Sequence, residues 1–198
     1  MPARLARFAV FAAAAAAVPC LALAQALPAD CSAAPVPAQA LEISIGGAKF
    51  APKSVKLIAA GEMGIGDEKF DSYRLSFRNE DDLFAPLEAT VTVIVRKGQR
   101  VDGRTFRKLP TKSIDKQPAA TSGLPEVQGW SMKNKTAKTD QSHVSYVGSL
   151  RLEFGQRQGG AIGGRIHLCV PKGQTTMFDS TPSKEDGFAI GTFQARIE

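Results

Sequence analysis

Apolar residues recur at every second position through much of the chain after residue 40. In LEISI at 41–45, Leu41, Ile43 and Ile45 alternate with Glu42 and Ser44, and Gly46-Gly47 ends the run. SVKLIA at 54–59 is a second candidate strand. Tyr73, Leu75 and Phe77 alternate with Arg74, Ser76 and Arg78, the pattern of a strand with one buried face. LEATVTVIV at 87–95 is β-branched and nearly free of charge, which predicts a central strand. In VSYVGSLRLEF at 144–154, Leu150, Leu152 and Phe154 share one face, and Ser149, Arg151 and Glu153 share the other. RIHLCV at 165–170 sets Ile166, Leu168 and Val170 against His167 and Cys169. The last run, GTFQARI, turns Phe193, Ala195 and Ile197 inward and Gln194 and Arg196 outward.

No window after residue 40 sustains four turns of helical periodicity with caps, which argues against helical and α/β folds. Short strands punctuated by Gly, Pro and Asp predict an all-β domain over 41–198. The favoured architecture is a single β-sandwich of about seven to nine strands with immunoglobulin-like packing. A partly open β-barrel is the alternative. The closing GRIHLCVP and GTFQA resemble the last hairpin of many small secreted sandwiches, a likeness that implies no activity.

Residues 1–24 do not belong to this domain. Arg4 and Arg7 precede an apolar run from Phe8 to Val18, and Ala22-Leu23-Ala24 supplies the small-x-small pattern of a cleavage site. This predicts a Sec-type signal peptide cut after Ala24 and a periplasmic or secreted protein with no remaining membrane span. The competing reading is a membrane anchor, for which the uncharged stretch from Phe8 to Ala24 is short. Neither Cys20 after Pro19 nor Cys31 after Asp30 fits a lipoprotein site. Residues 25–40 are an Ala/Pro-rich tether.

Export gives meaning to the two cysteines left after cleavage, Cys31 and Cys169. They allow one intramolecular disulfide, linking the tether to the outward face of RIHLCV. Chain entropy alone gives an upper figure of roughly 5 kcal/mol for so long a loop. Two buried free thiols are the alternative, and the absence of C-x-x-C argues against a redox-active pair.

The chain of 198 residues has a formal net charge of +6, unevenly placed. The segment 96–138 carries eleven Lys and Arg against Asp102, Asp115 and Glu126, while the remainder of the mature chain is net acidic. Two readings are open. One is a solvated loop region. The other is an anion-binding face built from Arg96, Lys97, Arg100, Arg104, Arg107 and Lys108, facing an anionic glycan, lipopolysaccharide or another envelope protein. Nucleic acid is disfavoured by export and by the scarcity of aromatics among these cations. Trp130, the single tryptophan, lies in the same segment. It could stack on a sugar ring or fill the core.

Catalytic signatures are missing. The sequence has no G-x-S-x-G, and its glycine runs lack the Lys-Ser/Thr of a phosphate loop. Ser113-Ile114-Asp115-Lys116 matches S-x-x-K but is bracketed by Pro110 and Pro118. His143 and His167 sit in different strands with no further ligands at zinc spacing, so no metal or cofactor is expected. The acids Asp67, Glu68 and Asp71 with Asn79, Glu80, Asp81 and Asp82 could form a calcium cage, although the spacing is not that of an EF-hand. Asn134-Lys135-Thr136 is a glycosylation triplet. The expectation is a non-catalytic exported binding protein. The alternative is a small hydrolase or lyase using distant acids and His143. The oligomeric state is not encoded in these patterns.

Overall fold

The computed structural model describes residues 27–82, 84–111, 113–121, 123–136, 139–143, 148–173 and 184–198, with the backbone alone through 139–143. The expected signal peptide at 1–24 and positions 144–147 of the expected 144–154 strand lie outside these residues. The strands are β1 (Glu42–Ile45), β2 (Ala48–Phe50), β3 (Ser54–Ile65), β4 (Glu68–Arg78), β5 (Leu87–Arg96), β6 (Thr105–Lys108), β7 (Ala119–Thr121), β8 (Leu124–Pro125), β9 (Val127–Asn134), β10 (Thr139–His143), β11 (Ser149–Gln158), β12 (Ala161–Val170) and β13 (Gly187–Ile197).

Two sheets pack face to face as a sandwich, with no closed barrel. One runs β10-β9-β5-β4-β3 and the other β13-β12-β11-β6, with β1 and β2 extending it beyond β13. Strand β5 is central, as its β-branched and nearly charge-free sequence predicts. The sheets share β13. Near its start, Phe188 to Ile190 pair antiparallel with β1. Near its end, Arg196 and Ile197 pair parallel with Lys56 and Leu57 of β3. The switch falls at Gly191, where φ is +131° and a Cβ would lie 2.7 Å from both the Ala40 oxygen and the Leu41 Cα. Only glycine lets the tether cross there without strain.

Alternation sets the core. Leu150, Leu152, Phe154, Phe193 and Ala195 are buried in the phase the sequence predicts, with Ile197 half-buried against them. A chain of edge-to-face rings crosses the interior from Phe106 to Phe154, Phe193 and Phe77, with centroids 5.6–5.9 Å apart. It ties β6, β11 and β13 to β4 and adds directional packing to the burial of each ring.

The basic segment supplies much of the architecture. It leaves β5, forms edge strand β6 of the second sheet, and returns through β7 and β8 to β9 beside β5. On the outer face of the first sheet, Phe70 and Ile94 are buried together with Leu124 of β8. The open edge of β6 is covered by side chains of the same segment. The Arg107 amide donates to Glu126 Oε1 at 2.9 Å, and the Leu109 amide donates to Gln117 Oε1 at 2.8 Å. This satisfies edge groups that would otherwise invite strand pairing.

Candidate functional site

The cations expected to form one face are placed in four environments. Arg96 and Lys97 end β5 beside the β3–β4 hairpin. Arg96 pairs with Glu68 at 3.3 Å, and Lys97 pairs with Glu62. The pair holds the Glu62 carboxyl below its ordinary range and the Lys97 amine above its own. Arg100 is exposed in the following turn and has no ion pair among the described residues. Arg104 donates to Gln99 at 2.8 Å and lies 5.5 Å over the Phe106 ring.

Lys108 and Trp130 are interior residues and do not belong to an exposed face. Lys108 follows Phe106 in the inward phase of β6 and is only 1% exposed. Its Nζ donates to the Leu109 and Gly148 carbonyls at 3.1 Å and sits 5.3 Å over the Trp130 ring. Loss of hydration pushes its pKa down to about 8. Trp130, on the core face of β9, is 3% exposed. The tryptophan therefore packs against the lysine from within the sandwich.

Arg107 alone of this group joins a larger basic surface, and its partners come from outside the basic segment. The β6–β11 register sets Arg107 directly opposite Arg151, and Arg151 opposite His167 of β12. Arg165 lies two residues before His167 on the same outer face, directly opposite Glu153, exposed and without an ion pair among the described residues. Like charges placed directly across a ladder repel one another. Two carboxylates relieve this in part. Glu153 accepts from Arg151 Nε at 2.6 Å. Glu126 is pushed above the usual carboxylate range by burial, against the Arg107 amide and the charges of Arg104 and Arg107. The result is a shallow arginine strip across β6, β11 and β12, in which Arg107 and Arg165 are exposed and Arg151, 16% exposed, is held between Glu153 and the Ala33 carbonyl of the tether. Sequence spacing could not show it, because Arg107, Arg151 and Arg165 become neighbours only through strand pairing.

Two hollows of about 310 and 380 Å³ adjoin where β13 meets β3, sharing Lys53, Val55 and Gln194 in their walls. Asp81 is the one carboxylate lining them. The Ser54 hydroxyl at 2.8 Å and Lys56 at 3.6 Å hold it below its ordinary pKa, so it is ionised and poorly suited to donate a proton.

The tether lies against the outer face of the second sheet and is bonded there by the Cys31–Cys169 disulfide, with Cα atoms 6.0 Å apart. The Cys31 amide donates to Ser149 Oγ at 2.7 Å, and Val36 is buried. His167 lies beside the disulfide, 7% exposed, with its Nδ1 lacking a hydrogen-bond partner among the described residues. Burial lowers its pKa.

The calcium cage is not assembled. Asp67, Glu68 and Asp71 lie at one end of β4 and residues 79–82 at the other, separated by an 11-residue strand spanning roughly 35 Å. Ser113 to Lys116 form a short 3-10 turn with no buried residue. Asn134 is buried and donates to the Ile45 carbonyl at 3.1 Å, so its amide is closed to glycosylation in the folded chain. The His143 side chain lies outside the described residues. No helix among the described residues is long and apolar enough to cross a membrane. No family model, curated protein or solved structure matches the chain.

Proposed function

We propose that this is an exported, non-catalytic β-sandwich that binds an anionic glycan or lipid head group through the arginine strip Arg107, Arg151 and Arg165. The observation that carries the reading is the placement of Arg107 directly opposite Arg151, with Arg165 exposed on the adjoining strand and without an ion pair among the described residues. A fold that holds like charges across a ladder gains when a sulfate, phosphate or carboxylate enters between them. Guanidinium groups suit such oxyanions because they bond them in a bidentate fork. Export is supported by the charged and apolar pattern of residues 1–24 and by a disulfide that needs an oxidising compartment.

Heparin–agarose chromatography tests the proposal. The wild-type protein should be retained at low salt and released as exposed charges become screened, with a Debye length of about 8 Å at physiological ionic strength. Arg107→Glu with Arg165→Glu should abolish retention and leave the melting temperature nearly unchanged, because both side chains are exposed. Arg96→Glu with Lys97→Glu should leave retention in place. Retention that survives the first pair of reversals, or disappears with the second alone, overturns this surface as the binding site.

A further inference from the structure

We propose that Cys31, Cys169 and His167 form a redox-gated site for a soft monovalent metal ion, Cu(I), which becomes available when the disulfide is reduced. Three observations converge on it. Both Sγ atoms and a ring nitrogen of His167 lie within 4.8 Å of one another, close enough for all three to reach one ion. All three residues are buried. The His167 Nδ1 has no hydrogen-bond partner among the described residues, although buried imidazoles are ordinarily satisfied. Two sulfurs and one imidazole nitrogen are a soft donor set. No other His, Cys, Asp or Glu among the described residues completes a fourth position, which favours a three-coordinate Cu(I) over tetrahedral Zn(II).

The gating follows from the covalent chemistry. In the disulfide neither sulfur is a thiolate. A dithiol reductant breaks the Sγ–Sγ bond by exchange. It delivers two electrons and two protons to give two thiols, and itself becomes a disulfide. The metal ion then displaces both thiol protons to solvent and takes the imidazole lone pair as its third ligand. Reduction also frees the tether from its covalent anchor. What still holds the cover are weaker contacts, such as the Cys31 amide to Ser149 Oγ and Arg151 to the Ala33 carbonyl at 3.4 Å. The event that creates the ligands thus loosens the segment that shields them. Exchange with a disulfide oxidant, which takes two electrons from the sulfurs and two protons from solvent to become a dithiol, restores the Cys31–Cys169 bond, removes both thiolates and releases the ion.

The test is anaerobic competition for Cu(I) against a coloured bidentate chelator, using the purified protein oxidised and after reduction by a dithiol that is removed by gel filtration before copper is added. The reduced protein should withdraw one equivalent of Cu(I), and the oxidised protein none. His167→Leu in the reduced state should weaken binding more than ten-fold, and the double variant Cys31→Ser, Cys169→Ser should abolish it. Circular dichroism of each reduced sample reports whether the sandwich persists, and bound Cu(I) should raise the melting temperature of the reduced wild type. Failure of the reduced protein to take up Cu(I) overturns the proposal. So does uptake that is indifferent to His167, or that occurs only in unfolded protein, since either outcome reduces the site to two thiols without the architecture. The heparin measurement is independent of this result.

Discussion

Two groups of cations in this molecule look alike in sequence and differ in the fold. Arg96 and Lys97 sit at a corner where the β3–β4 hairpin delivers Glu62 and Glu68 to meet them. Arg107, Arg151 and Arg165 sit on a sheet face where strand pairing delivers further arginines. The corner is close to locally neutral, while the strip keeps a positive excess. A charge run therefore says little about potential until the partners from elsewhere in the chain are known. Of the eleven cations counted in 96–138, some are matched by hairpin carboxylates and Lys108 is drawn into the interior. The surface with excess charge draws two of its three arginines from outside that segment.

The largest expected effect tests whether the strip needs the platform beneath it. Phe154 packs edge-to-face on both Phe106 and Phe193, so it links the strand carrying Arg107 to the middle of the second sheet. Phe154→Ala should destabilise the protein by about 3–5 kcal/mol, measured as a fall in the denaturant midpoint. Heparin retention through the strip should persist at temperatures where the variant stays folded, and the difference between strip and corner reversals should disappear on unfolding, when the cations of both become equivalent. An unchanged midpoint would show that β11 is out of phase.

The phase of β11 was legible because alternation is a local property. The same holds for β1, β4, β5 and β13, whose apolar positions recur with period two and are buried accordingly. The Cys31–Cys169 bridge was legible because the sequence after residue 24 holds only two cysteines. Other features escaped because no local signal marks them. Strand β3 continues through GEMGI, where glycines suggest a loop, because its pairing with β4 overrides their weak propensity. Strands β2, β7 and β8 are too short to show a period, so the described residues hold thirteen strands where about seven to nine were expected. Lys108 reads as a surface cation in sequence. Its inward phase becomes visible only once Phe106 is known to face the core. The arginine strip depends on long-range register and has no one-dimensional signature.

The next effect separates the interior lysine from the surface cations. Between about pH 8 and the unfolded value near 10.5, the unfolded chain holds a proton that folded Lys108 has shed. Stability therefore rises with pH across that window by about 3 kcal/mol from this group, and is lost as pH falls back through 8. Lys108→Met keeps the chain length and removes the charge. The difference in urea midpoint between wild type and variant should change steadily from about pH 7.5 to 10 and be flat below that range. A constant difference would place the Lys108 amine in water, with the other cations of the segment.

The smallest effect addresses the comparison most directly. If the strip holds unrelieved like charge, removing one member should stabilise the free protein. Arg107→Thr leaves β6 with a good strand former and removes the cation facing Arg151, while the backbone amide stays available to Glu126. A gain of roughly 0.2–1 kcal/mol at low ionic strength is the expected size for relief of one directly opposed like pair. The gain should shrink as salt rises, because screening already weakens the repulsion in the wild type. At the corner the sign should reverse. Lys97→Thr removes a partner of Glu62 and leaves Asp71 and Glu62 without their nearest ammonium, so it should lower stability, again more at low salt. Thermal melts of the two variants at low and high salt read both signs in one series. Equal signs would mean that the strip is as well neutralised as the corner, and the argument for an anion between Arg107 and Arg151 would then lose its energetic basis.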